Sequence, residues 1–174
     1  MLKIAVLIAD GSEELEALTP VDILRRAGVE VTTLSVGKKY ITGSHNIIIK
    51  ADKLAKRADF SAFDGIVIPG GMPGATNIAK CEKVVSAVRE MLKNNKLVAS
   101  ICASPAVVLA SNGLIDKRKV TCFPSQVFLD MLAPCEYIEQ NVCVDGNLIT
   151  ANGPSSAVEF SLKICEYLGV SAKF

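Results

Sequence analysis

The chain has 174 residues, half of them hydrophobic, with 5% aromatics and no Trp, a size and composition for one domain with an aliphatic core. Its 19 Lys and Arg nearly balance 18 Asp and Glu. No basic tract with interleaved aromatics is present, which argues against a nucleic-acid surface, and no apolar run nears the ~18 residues of a membrane span.

The elements follow in chain order. Lys3–Ala9 is a continuous apolar run, short enough for a buried strand, and Asp10-Gly11-Ser12 after it is a turn and helix-start signal. Glu16–Ala27 carries apolar residues at helical spacing and stops at Gly28. Val29–Val36 reads as a second strand, and Ile41–Lys50 as strand or hairpin material around Gly43-Ser44. Gly65–Pro69 is a third buried strand, ended by the turn Gly70-Gly71-Met72-Pro73-Gly74. A helix is predicted over Glu82–Lys93, a strand over Leu97–Ile101, and a helix over Ala103–Ser111, stopped at Asn112-Gly113. Short strands follow near Val120, at Asn141–Val144 and at Leu148–Ala151, the last two joined by Asp145-Gly146. A helix from about Ser155 to Leu168 closes the series. Alternation of this kind predicts an α/β fold, a mostly parallel sheet with helices on both faces. Ligands of such sheets bind at the carboxyl ends of the strands. Nothing in residues 1–174 reads as a linker or repeat, so a single domain is expected.

The six cysteines (Cys81, Cys102, Cys122, Cys135, Cys143 and Cys165) include no C-x-x-C pair. The amino-terminal run lacks an export-signal pattern, so reduced thiols and a cytoplasmic setting are expected. His45 is the only histidine, which rules out a multi-histidine zinc site; no metal and no cofactor are expected. His45 itself reads as a polar loop residue.

Three segments carry chemistry. In Val98-Ala99-Ser100-Ile101-Cys102-Ala103-Ser104-Pro105-Ala106, an apolar strand runs directly into a helix with Cys102 at the junction. Small residues two before and two after it, Ser100 and Ser104, suit the sharp bend of a nucleophile elbow. A sulfur there faces backbone N–H groups and the positive end of a helix, which favour thiolate. The plain alternative is a structural cysteine that ends a strand. The second segment, Ile68–Gly74, is neither a P-loop nor a dinucleotide fingerprint. Its adjacent glycines fit either a tight turn or backbone donors that form an oxyanion hole with the Ala103 N–H. In the third, Asp10–Glu16, Glu13 and Glu14 read as helix-start carboxylates. Glu16 falls among inward-facing positions, where a buried carboxyl keeps its proton and donates to a thiolate.

These stretches, with Pro20–Gly28, Val98–Ala110, Asn152-Gly153-Pro154 and Glu159-Phe160, resemble the ThiJ/PfpI superfamily and its DJ-one branch, a class I glutamine amidotransferase-like domain, over nearly the whole chain. The resemblance implies a flavodoxin-like three-layer sandwich and a homodimer. It makes Cys102 the nucleophile, hydrogen-bonded to Glu16, with Gly71 and Ala103 as oxyanion donors supported by Gly70. Arg26 becomes an arginine that supports the site across the dimer interface. The implied activity is a glutathione-independent glyoxalase or deglycase acting on methylglyoxal, glyoxal and glycated side chains. The alternative is a redox sensor or chaperone-like stress protein in which Cys102 is oxidised to sulfinate. Two departures stand out. Phe123 occupies the place where relatives often carry a His before Pro124, which argues against protease or amidase chemistry. The chain also ends at Phe174, soon after the last predicted helix, so a more open cleft is expected.

Overall fold

The structure, a computed structural model, describes residues 1–174. Its strands are β1 (Lys3–Ala9), β2 (Glu30–Val36), β3 (Tyr40–Thr42), β4 (Ile48–Lys50), β5 (Lys53–Leu54), β6 (Gly65–Ile68), β7 (Leu97–Ile101), β8 (Lys119–Val120), β9 (Glu136–Tyr137), β10 (Val142–Asp145) and β11 (Leu148–Ala151). The α-helices are α1 (Glu14–Arg26), α2 (Gly74–Ala79), α3 (Glu82–Lys93), α4 (Gln126–Met131) and α5 (Ala157–Leu168). Seven strands form one sheet in the order β10-β11-β7-β6-β1-β2-β5, parallel except at the β10–β11 hairpin edge. This is the flavodoxin-like α/β arrangement. The chain leaves β1 for β2 on one side and returns to β6 on the other, so the order reverses between β1 and β6. A crevice opens at the carboxyl ends of strands at such a switch point.

Side-chain alternation divides the core into two layers. Ala5, Leu7 and Ala9 of β1, with Ile66, Ile68 and Val98, face one side and bury Val84, Val88 and Met91 of α3. Ile4, Val6, Val67, Ala99 and Ile101 face the other and bury Val21 and Leu24 of α1 with Phe160 and Ile164 of α5. A smaller cluster of Ile8, Ala17, Ile41, Ile49 and Ala51 sits under the β3–β4 hairpin.

The structure modifies one sequence expectation and adds elements the sequence did not suggest. The segment after Cys102 is not a regular α-helix over Ala103–Ser111. Residues Pro105–Ala110 wind as a π-helix, with Ser111 N–H reaching back to the Ala106 carbonyl. The short helices α2 and α4 were not anticipated, because six residues show too little periodicity to read. Strand β5 is only two residues long and is held by pairing with Leu34 and Ser35, a signal outside its own sequence.

Candidate active site

Cys102 lies one residue past β7, a strand hydrogen-bonded on both sides by β6 and β11. Its N–H donates to the Ala151 carbonyl at 2.9 Å, and its own carbonyl accepts from Phe123 N–H at 2.8 Å. With both backbone groups fixed, the chain turns at Cys102 through a left-handed conformation, φ +65°. For a non-glycine residue this costs roughly 1–3 kcal/mol and marks a site where surrounding contacts hold the strain. The sequence expectation of an elbow is met here. Ser100 and Ser104 are fully buried, and Ser104 Oγ donates to the Pro69 carbonyl at 2.5 Å, tying the elbow to the glycine turn.

That turn follows β6, and its glycines are required by close approach. A Cβ on Gly70 would stand 2.6 Å from the Cys102 Cβ and 2.7 Å from Glu16 Oε2. Gly71 has φ +80°, and a Cβ there would collide with Glu13 N and the Gly11 carbonyl. Both Gly71 and Ala103 direct N–H groups at the Cys102 sulfur and lower its pKa.

Glu16 comes from the first turns of α1. Glu13 caps this helix by accepting from Glu16 N–H at 2.9 Å, and the Glu13 N–H donates to the Gly70 carbonyl at 3.1 Å. The Glu16 side chain is wholly buried and its Oε2 accepts from Gly70 N–H at 2.8 Å. Oε1 has no hydrogen-bond partner, and the Glu16 carboxyl lies close enough to the Cys102 thiol for the two groups to perturb each other. A buried, unpartnered carboxyl oxygen is costly in a purely structural role.

Burial, the largest effect, raises the Glu16 carboxyl from 4.5 to about 7; contact with Cys102 and the Gly70 N–H pull it down, and the Glu13 charge pushes it up. Burial also pushes the Cys102 thiol up to about 12, with the Glu16 charge and hydrogen bond adding to it. The expectation of a simply thiolate-favouring site is thus modified. An ionised Glu16 opposes the thiolate, whereas a protonated Glu16 removes that repulsion and supplies a donor. The two titrations are coupled: an ionised Glu16 holds the Cys102 thiol protonated.

The other expected residues fall elsewhere. Arg26 lies at the far end of α1, pairing with Asp22 at 2.8 Å and stacking on the Phe174 ring at 5.9 Å. Ten residues of helix, about 15 Å, separate it from Glu16, so within the protomer it does not join the site. His45 is an exposed loop residue, as expected. Glu14 does more than start a helix: its buried carboxylate accepts from His45 N–H at 2.8 Å and Ile47 N–H at 3.3 Å. Burial pushes that carboxyl up, but these donors outweigh it and hold it below its usual range. Ligand-type atoms of Glu13, Glu14 and His45 lie within 4.8 Å of one another, but both carboxylates are already engaged in holding the helix start and the hairpin loop. A cavity of about 670 Å³ between the 58–61 segment and α3 lies at the opposite, amino-terminal end of β6 and β7, without a cysteine in its lining.

Phe123 is half exposed beside the elbow. No helix is long and apolar enough to cross a membrane.

The model of the DJ-1/PfpI family matches residues 2–167. Protein DJ-1 homolog A of Arabidopsis thaliana is 44% identical over 165 residues, covering 94% of this chain and 42% of that protein. The chain thus spans about two-fifths of the length of that relative. The glutathione-independent glyoxalase DJR-1.2 of Caenorhabditis elegans is 32% identical over 91% of this chain and 84% of its own length. Deglycase PH1704 of Pyrococcus horikoshii is 33% identical over 88% and 92%. Among solved structures, oxidized Toxoplasma gondii DJ-1 superposes with a TM-score of 0.92 at 40% identity, over 97% of this chain and 91% of that one.

Proposed function

Because the chain belongs to the DJ-1/PfpI family, we propose that it is a Cys102-dependent glyoxalase or deglycase acting on methylglyoxal, glyoxal and their early adducts. The observation that carries this reading is the buried Glu16 carboxyl, raised to about 7, beside the strained Cys102 elbow. The names of the C. elegans and P. horikoshii relatives support the same chemistry.

In the proposed cycle the Cys102 sulfur adds to the aldehyde carbon as the thiol proton passes to ionised Glu16, and the carbonyl π-electrons move to oxygen. The Gly71 and Ala103 N–H groups, already aimed at the sulfur, stabilise the developing oxyanion until Glu16 gives that proton to it and leaves a neutral hemithioacetal. Glu16 removes the proton from that carbon and returns it to the adjacent, former ketone carbon, while the hemithioacetal hydroxyl proton passes to the former ketone oxygen, giving a lactoyl thioester from methylglyoxal. Water then cleaves the thioester and releases lactate and the thiol. The overall change is an internal redox reaction: the aldehyde carbon is oxidised, the ketone carbon reduced and one water consumed. No external cofactor enters the balance. A carboxyl near 7 is suited to both giving and taking a proton at neutral pH.

A homodimer is part of the proposal. Leu15 and Leu18 of α1, and Val158 and Leu162 of the adjacent α5, are exposed. Ile47 and Ile48 of the hairpin, tied to α1 through Glu14, are exposed as well. A second copy would cover these side chains and bring in the partner arginine envisaged for Arg26. The sensor reading draws on Phe123, which supplies no proton, and on a donor set that would also hold a sulfinate. Following methylglyoxal with purified protein and Cys102→Ser by NMR separates the two. Lactate from the wild type alone is expected; its absence overturns the enzyme reading.

A further inference from the structure

The segment Thr121-Cys122-Phe123-Pro124-Ser125 borders the elbow without contributing an acid or base. Its backbone is nevertheless fixed at Phe123. The Phe123 N–H donates to the carbonyl of Cys102 itself at 2.8 Å, and its carbonyl accepts from Ser125 N–H at 2.8 Å and from the Cys122 thiol at 3.3 Å. The ring packs over Gly153: a Cβ on that glycine would stand 3.4 Å and 3.9 Å from two of its carbons. Gly153 lies two residues beyond Ala151, whose carbonyl holds the Cys102 N–H. The ring is therefore anchored to the elbow through its own backbone and rests on the turn that follows β11. Even so, it remains 43% exposed. Met72, next to the sulfur-directed Gly71, is 49% exposed. Two large apolar side chains thus stand open beside backbone that contacts the nucleophile, while the charged group of the site, Glu16, is wholly buried.

We propose that Phe123 is a specificity-determining residue, an aromatic wall beside Cys102 that favours 2-oxoaldehydes with an apolar or aromatic substituent, arylglyoxals above all, over glyoxal. The inference rests on the glyoxalase reading for its substrates and extends it to the part of the substrate that does not react. A substituent ring laid against Phe123 covers apolar area on both partners and gains an aromatic contact. Glyoxal carries only hydrogen there and gains neither. Discrimination by apolar contact is modest, roughly 10-fold for a group of this size.

The test compares phenylglyoxal with glyoxal as substrates of wild type, Phe123→Ala and Phe123→Tyr. The phenylglyoxal-to-glyoxal ratio of kcat/KM should fall about 10-fold in Phe123→Ala and stay close to wild type in Phe123→Tyr, which keeps the ring. A ratio unchanged in Phe123→Ala overturns the proposal. A readout independent of turnover is the rate of Cys102 alkylation by phenacyl bromide relative to bromoacetone, followed by intact mass. This ratio should fall with Phe123→Ala in the same sense. If no oxoaldehyde is turned over while the alkylation ratio still shifts, the glyoxalase reading fails and the aromatic wall stands. An unshifted alkylation ratio counts against the wall whatever the turnover.

Discussion

Glu16→Gln tests the proposed mechanism at its centre. Glutamine keeps an oxygen to accept the Gly70 N–H now bonded at 2.8 Å, and keeps nearly the same shape, but cannot exchange a proton. If Glu16 carries the proton between the two carbons, lactate formation should fall on the order of 10²-fold or more. The pH dependence should change as well. In the wild type the first proton leaves the Glu16–Cys102 pair near 7, so activity should rise through about that pH. In Glu16→Gln only the thiol remains, and its burial moves the limb to higher pH. Stability supplies a third readout. The carboxyl's folded pKa of about 7 lies above its ordinary 4.5, so the fold holds this proton more tightly than the unfolded chain does. The resulting penalty is absent below pH 4.5, grows between the two values and is complete above about 7. At ~1.4 kcal/mol for each tenfold in proton affinity it reaches about 3 kcal/mol at most. Glu16→Gln should therefore melt higher than wild type at pH 8, by at most about 6–12 °C for a chain of this size, and near wild type at pH 4.5. Near-wild-type turnover with an unmoved pH limb would refute the assigned role, and a variant less stable at pH 8 would refute the burial argument.

Other outcomes follow from the same geometry. Iodoacetamide at limiting dose should modify Cys102 before the other five thiols, read by peptide mass mapping. Cys122 is fully buried, so partly exposed Cys81 and Cys135 are the next sites expected; modification of either before Cys102 would reverse the ranking. Gly70→Ala places a Cβ 2.6 Å from that of Cys102, and should lower stability by about 1–3 kcal/mol and turnover by at least about 10-fold. A variant as stable and active as wild type would show that the turn is looser than its contacts imply. Paired Val158→Glu and Leu162→Glu substitutions should give a monomer by light scattering where wild type gives a dimer; unaltered mass places the interface elsewhere.

What the sequence determined by itself was local. The apolar run Lys3–Ala9, the helix Glu82–Lys93 and the strand Leu97–Ile101 emerge in the structure with the bounds their patterns predict, because each buries a face or a full strand and periodicity records burial. The elbow was legible for the same reason: a sharp turn needs small flanking residues, and Ser100 and Ser104 are visible in the chain. Facts set by contact over long separations were not legible. Glu16 and Gly70 are 54 positions apart, and only the switch in strand order between β1 and β6 sets the carboxyl against the turn and the sulfur. Burial at that meeting point raises both ionisable groups and outweighs the backbone N–H groups that favour the thiolate, which modifies the expectation drawn from a helix start. Glu14 likewise looked like an ordinary first-turn acid until the hairpin 31 to 33 residues later brought its N–H groups to it. Desolvation and hydrogen bonding depend on what surrounds a group in three dimensions, and no single stretch of chain encodes that surrounding.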